Sequence, residues 1–125
     1  MHPLVRFPYA ALGAASRLAV TIAPESQSKF LRAITARRGL LDRYRAWAED
    51  ERDRTRPLLW VHAPSVGEGL QALPVMEQFR IDHPEAQLVY TFYSPSAERF
   101  ANSVGADFFD YLPFDNARDS AAALD

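Results

Sequence analysis

Cysteine is absent from the 125 residues, which excludes disulfides, thiolate zinc sites, iron–sulfur clusters and cysteine nucleophiles together. A long uninterrupted hydrophobic run is missing as well. Pro8 to Ala23 is mostly apolar, but Arg17 interrupts it, and it falls short of the roughly 20 residues that a spanning helix needs. Only Arg6 among the side chains places a positive charge ahead of that run, so a signal peptide is not expected and the segment stays on the mature chain. Nor does one sign of charge dominate, the formal net charge being −2. With no aromatic-basic repeat either, nucleic acid is not an expected partner.

What is present is the balance of one ordinary soluble domain, 48% hydrophobic and 24% charged. That length buries a real core, yet it is shorter than the roughly 200 residues that a two-domain catalytic architecture requires. The charge is unevenly placed: residues 1–57 carry 11 Lys/Arg against 6 Asp/Glu, and residues 58–125 carry 3 against 10. Two segments with different electrostatic roles follow, 1–57 and 58–125.

In the first segment, Phe30, Leu31, Ile34, Leu40, Leu41, Tyr44 and Trp47 recur at spacings of three and four with Lys29, Arg32, Arg37, Arg38, Arg43 and Arg45 between them. This predicts amphipathic helices with basic faces from Ser26 to Arg56, punctuated at Gly39 and closed by a solvated charged end before Pro57. An apolar helix followed by a basic amphipathic one suits association with an anionic membrane surface, where each well-placed cation adds roughly 1 kcal/mol. Packing as a helical subdomain on the rest of the protein is the alternative.

From Leu58 the period changes. Leu58 to Ala63 reads as a strand, Gly67 to His83 as a helix, Gln87 to Tyr93 as a strand and Ala97 to Val104 as a helix entered through Ser94-Pro95 and ended at Gly105. Phe108 to Leu112 and Asn116 to Leu124 add a third strand and helix. The β-α-β-α-β-α order predicts an α/β, Rossmann-like parallel sheet, truncated after its third unit, with ligands at the carboxyl ends of the strands. His62 falls inside a strand expected to be buried and reads as a hydrogen-bonded structural histidine.

Gly67-Glu68-Gly69-Leu70-Gln71-Ala72 fits the glycine pattern of dinucleotide sites. The acidic residue that would hold the ribose is missing from Thr91-Phe92-Tyr93-Ser94, so that reading fails its second requirement. Glu68 itself stands at a helix start, where the dipole stabilises a carboxylate. It suits a general base that takes the proton of a hydroxyl nucleophile, with flanking glycines giving a bulky substrate room. Stabilising the first helical turn is the structural alternative, and Ser65 likewise suits either a cap or a donor to a substrate oxygen.

The run Trp60-Val61-His62-Ala63-Pro64-Ser65-Val66-Gly67-Glu68 resembles the W-x-H-A-x-S-V-G-E signature of the 3-deoxy-D-manno-octulosonic acid (Kdo) transferases. Arg37-Arg38-Gly39, Pro74, the loop from Thr91 to Ser96 and Tyr111-Leu112-Pro113-Phe114-Asp115 follow the same family in order. The loop Ser94-Pro95-Ser96-Ala97 departs from it in lacking a closing glycine, and Pro64 stands where a small or β-branched residue is usual.

The resemblance implies an inverting GT-B glycosyltransferase of lipopolysaccharide biosynthesis at the cytoplasmic face of a Gram-negative inner membrane. It implies no metal and no cofactor, CMP-Kdo as donor held by a C-terminal domain, and a lipid A precursor as acceptor. This chain then corresponds to the N-terminal acceptor-side domain, inactive without its donor half, with Glu68 as catalytic base. Ser65, Gly67, Gly69, Ser94 and Ser96 are expected against the acceptor, and Arg37 and Arg38 against its phosphates. A non-catalytic, stand-alone membrane- or lipid-binding domain is the rival expectation.

Overall fold

The computed structural model describes residue 31, residues 35–113 and residues 117–124. The apolar run 8–23, the start of the expected basic helices and most of the loop 113–116 lie outside the described residues. The chain divides into two compact units, 1–45 with 113–125, and 46–112.

In the first unit Gly39 takes a left-handed conformation, φ 67°, which glycine adopts without a Cβ clash. There the chain turns into helix α1, Leu40–Asp50, whose residues up to Arg45 belong to this unit and the rest to the second. Arg43 braces the turn, its Nη1 donating to the Arg38 carbonyl at 2.6 Å and its Nη2 to the Ala36 carbonyl at 3.2 Å. Leu40 and Tyr44 are buried one turn apart. Helix α4, Ala117–Leu124, belongs to the same unit and buries Asp119.

The second unit is the α/β body. Strands β1 (Leu58–His62), β2 (Gln87–Phe92) and β3 (Phe108–Tyr111) form a parallel sheet in the order β1-β2-β3. Helix α2 (Val66–Asp82) joins β1 to β2, and a 3-10 turn (Pro95–Ala97) followed by helix α3 (Glu98–Val104) joins β2 to β3. Central β2 is buried along its whole length, which fits its nearly continuous apolar sequence.

Alternation along the paired strands sorts the side chains onto two faces. Leu59, Val61, Leu88, Tyr90, Phe92, Phe109 and Tyr111 share one face. It is the face that meets α3, because the Tyr90 ring meets Phe100 of α3 edge-on and the Tyr111 hydroxyl donates to Glu98 at 3.1 Å. Leu58, Trp60, His62, Val89, Thr91, Phe108 and Asp110 share the other, where Trp47 stacks on Phe108 with ring centroids 5.2 Å apart.

The basic helix ends at Asp50, sooner than its expected end at Arg56. Buried Gln87 explains the difference: its Oε1 accepts from Arg52 Nη1 at 2.8 Å and from the Asp53 N–H at 2.9 Å, while its Nε2 donates to the Glu51 carbonyl at 2.9 Å. Three hydrogen bonds from one buried amide hold 51–53 in a non-helical path. At the far end of α3, Gly105 takes φ 71° as expected for a helix stop, and Arg80 of α2 donates to the Val104 and Gly105 carbonyls. Pro74, inside α2, removes a donor that the Leu70 carbonyl would otherwise receive. Both residues are exposed, so water can take its place.

Candidate active site

The carboxyl ends of β1 and β2 carry two loops that one carbonyl ties together. Pro64 O accepts the Tyr93 N–H at 3.2 Å and the Ser94 N–H at 3.0 Å. The segment leading into α2 and the segment leaving β2 therefore form one continuous rim. No local pattern marks this contact, because the partners lie 29 and 30 positions apart.

At the start of α2, Ser65 is the N-cap and Glu68 the third helical residue, and together they make a capping box. The Ser65 Oγ accepts the Glu68 N–H at 3.4 Å. In return Glu68 Oε2 accepts the Ser65 N–H at 3.1 Å and the Ser65 hydroxyl at 2.7 Å. Both bonds fall on the same oxygen. Glu68 Oε1 makes no hydrogen bond among the described residues, and the side chain is exposed. The box thus fixes the carboxylate in direction while leaving one oxygen able to accept a proton.

The two glycines beside Glu68 do different work. A Cβ at Gly67 would meet nothing within 4 Å apart from its chain neighbours, so that position faces open space. Gly69 corrects the expectation of clearance for substrate, because it faces inward and is buried. A Cβ at Gly69 would lie 2.4 Å from Phe100 Cε1 and 2.5 Å from the Tyr90 hydroxyl. Its missing side chain lets α2 close onto the sheet.

That contact exposes a cost in the core. The Tyr90 side chain is fully buried and its hydroxyl has no hydrogen-bond partner among the described residues, a deficit of about 1–3 kcal/mol for a hydroxyl. Burial, and then the negative charge of Glu68, push the Tyr90 phenol's pKa up from its ordinary value of 10.0. The neutral phenol is therefore favoured in the folded state. Its contribution is intact below pH 10 and is lost as pH rises from there through the raised folded value. Tyr90→Phe is expected to unfold at equal or higher denaturant concentration at pH 7, and to lose less stability than wild type between pH 9 and pH 11. An equal alkaline loss in both proteins contradicts this reading.

Ser94 and Ser96 stand on the other side of the rim, their Oγ atoms 2.7 Å apart. Ser94 occupies the N-cap position but makes no capping bond with its side chain, so its hydroxyl is turned to its neighbour instead. His62 differs from the buried residue expected, being exposed at the end of β1. It is hydrogen-bonded as expected: Nδ1 lies 3.1 Å from both the carbonyl and the hydroxyl of Thr91, and that hydroxyl also accepts from Trp60 Nε1 at 3.0 Å.

Ser65, Gly67, Glu68, Gly69, Ser94 and Ser96 all belong to the unit 46–112, whereas Arg37 and Arg38 belong to the other. Arg38 is exposed, but Arg37 is buried, at 4% exposure. This corrects the picture of both arginines on one solvated basic face. Among the described residues no group of acidic, histidine or cysteine side chains is placed to hold a metal, and no helix is long and apolar enough to cross a membrane.

The family described as 3-deoxy-D-manno-octulosonic-acid transferase (kdotransferase) matches residues 32–125. A 3-deoxy-D-manno-octulosonic acid transferase of Haemophilus influenzae is 36% identical over 59 residues, covering 46% of this chain and 14% of its own. One from Aquifex aeolicus is 34% identical over 61 residues, covering 46% of this chain and 16% of its own. The chain therefore spans only a small part of the length of these relatives. No solved structure matches it.

Proposed function

The chain belongs to the 3-deoxy-D-manno-octulosonic acid (Kdo) transferase family, and from that premise we propose that it is the acceptor-side part of a GT-B glycosyltransferase moving Kdo from CMP-Kdo to a lipid A precursor. The observation that carries this reading is the exposed Glu68 carboxylate, held through Oε2 by Ser65 while Oε1 makes no hydrogen bond among the described residues.

Transfer then proceeds in one displacement. Glu68 Oε1 takes the proton of an acceptor hydroxyl as that oxygen bonds to the anomeric carbon of Kdo, and the bond from that carbon to the CMP phosphate oxygen breaks, its electron pair leaving with CMP. The anomeric centre inverts through an oxocarbenium-like transition state. Ser65 acts as a positioning residue, because its two bonds set the direction of the carboxylate. Ser94 and Ser96 offer hydroxyls to the acceptor sugar. Arg38 and the basic residues around it meet the anionic membrane face that carries the lipid, on the cytoplasmic side of the inner membrane. The donor site belongs to polypeptide beyond this unit, so the chain alone is expected not to transfer.

The test is transfer by the complete polypeptide that carries this domain, with CMP-Kdo and a lipid IVA-like acceptor, read as a Kdo-sized gain in acceptor mass. Acceptor binding without any mass gain overturns the catalytic reading in favour of a lipid-binding role.

A further inference from the structure

We propose that Tyr90 is a positioning residue for Glu68, its hydroxyl acting as a spacer that sets how far the first turn of α2 stands from the sheet, a role that rests on the catalytic reading of that carboxylate given above. Tyr90 lies on the central strand, paired with Val61 on one side and Phe109 on the other, so its backbone is fixed from both edges. Its side chain is fully buried, and its ring meets Phe100 edge-on with centroids 6.2 Å apart. The hydroxyl at its tip lies 2.5 Å from where a Cβ on Gly69 would stand, closer than packed atoms approach. It therefore fills the place that glycine leaves empty against the helix. Phe100 Cε1 stands as near, at 2.4 Å, but it belongs to α3 and limits the turn from the neighbouring helix, whereas Tyr90 limits it from the sheet.

Gly69 belongs to one bonded turn with the proposed base. Its N–H donates to the Ser65 carbonyl at 3.0 Å, and Glu68 Oε2 accepts both the Ser65 N–H and the Ser65 hydroxyl. A change of height at Gly69 is thus passed to the carboxylate through hydrogen bonds. Hydrogen bonding does not explain why the ring at position 90 carries a hydroxyl, because that group has no partner among the described residues. Phenylalanine would avoid burying an unpaired polar atom. It would also remove the Tyr90 atom that meets Gly69, and the turn could then settle toward the sheet by the space of one oxygen. A base that takes one proton from one hydroxyl is sensitive to such a shift, since a misplacement of about 1 Å can cost on the order of 10²-fold in rate.

The experiment measures Kdo transfer by the complete polypeptide, comparing wild type with Tyr90→Phe and with the same position filled by 4-methylphenylalanine. That methyl group is close to the hydroxyl in size and forms no hydrogen bond. Thermal unfolding checks that each protein is folded. Tyr90→Phe is expected to lower kcat about 10–10²-fold with KM unchanged and with no fall in Tm. The 4-methylphenylalanine protein is expected to recover kcat to near the wild-type value, a rescue by size alone. Wild-type kcat in Tyr90→Phe overturns the spacer. An equal loss in both variants assigns the hydroxyl to hydrogen bonding and overturns it too, as does a change confined to KM, which assigns the residue to substrate binding. Each of these leaves the acceptor-side reading standing. Absence of transfer by wild type overturns that reading, and the spacer with it.

Discussion

Replacing Glu68 by glutamine is expected to lower Kdo transfer by the complete enzyme about 10²–10⁴-fold, the usual contribution of a positioned general base. The substitution isolates the proton acceptor from the scaffold. Glutamine serves at the third position of a capping box as glutamate does, since its carbonyl oxygen can still accept the Ser65 N–H now bonded to Oε2. Thermal unfolding should shift little, and acceptor binding should persist because shape and hydrogen-bonding capacity are nearly unchanged. The loss then falls on kcat, as expected when an interaction made only in the transition state is removed. Transfer within a few-fold of wild type, with the helix start intact, assigns the residue to capping alone.

The helix start was legible because its signals are local: Ser65 as a cap and Glu68 in the first turn mark it in the sequence, and the structure adds that the two bond to each other reciprocally. The strand-helix alternation from Leu58 to Tyr111 was legible for the same reason, each period being set by neighbours within one element, as was the stop at Gly105. What stayed hidden depended on distant partners. Gln87 ends the basic helix early from more than 30 positions away. Pro64 joins two loops through a carbonyl, a group every residue carries, so no residue type could mark it. His62 shares the apolar character of its strand, yet the end of an edge strand leaves it exposed. Arg37 and Arg38 are indistinguishable in the sequence, and tertiary packing alone buries one of them.

Gly67 and Gly69 pose the same problem in the smallest space, and alanine at each is expected to act in opposite directions. Both lie in the first turn of α2. At Gly67 nothing stands within 4 Å of an added Cβ, so alanine gains only the helix preference and should stabilise by about 0.5–1 kcal/mol. At Gly69 the added methyl meets Phe100 at 2.4 Å and the Tyr90 hydroxyl at 2.5 Å. Both belong to aromatic rings packed between helix and sheet, and neither is the end of a flexible chain. Overpacking of this kind costs about 1–3 kcal/mol, or a fall of roughly 4–8 °C in Tm for each kcal/mol in a domain of this size. Tyr90→Phe should relieve only part of that cost, since it removes the hydroxyl contact and leaves Phe100 in place. The double variant Gly69→Ala/Tyr90→Phe is therefore expected to be more stable than the sum of the two single changes, with a coupling of at least about 0.5 kcal/mol, the mark of groups in contact. Additive effects in urea denaturation mean that α2 moves away from the sheet as a unit. In that case Glu68, which rides on the same turn, is displaced as well, and Gly69→Ala also lowers transfer by the complete enzyme.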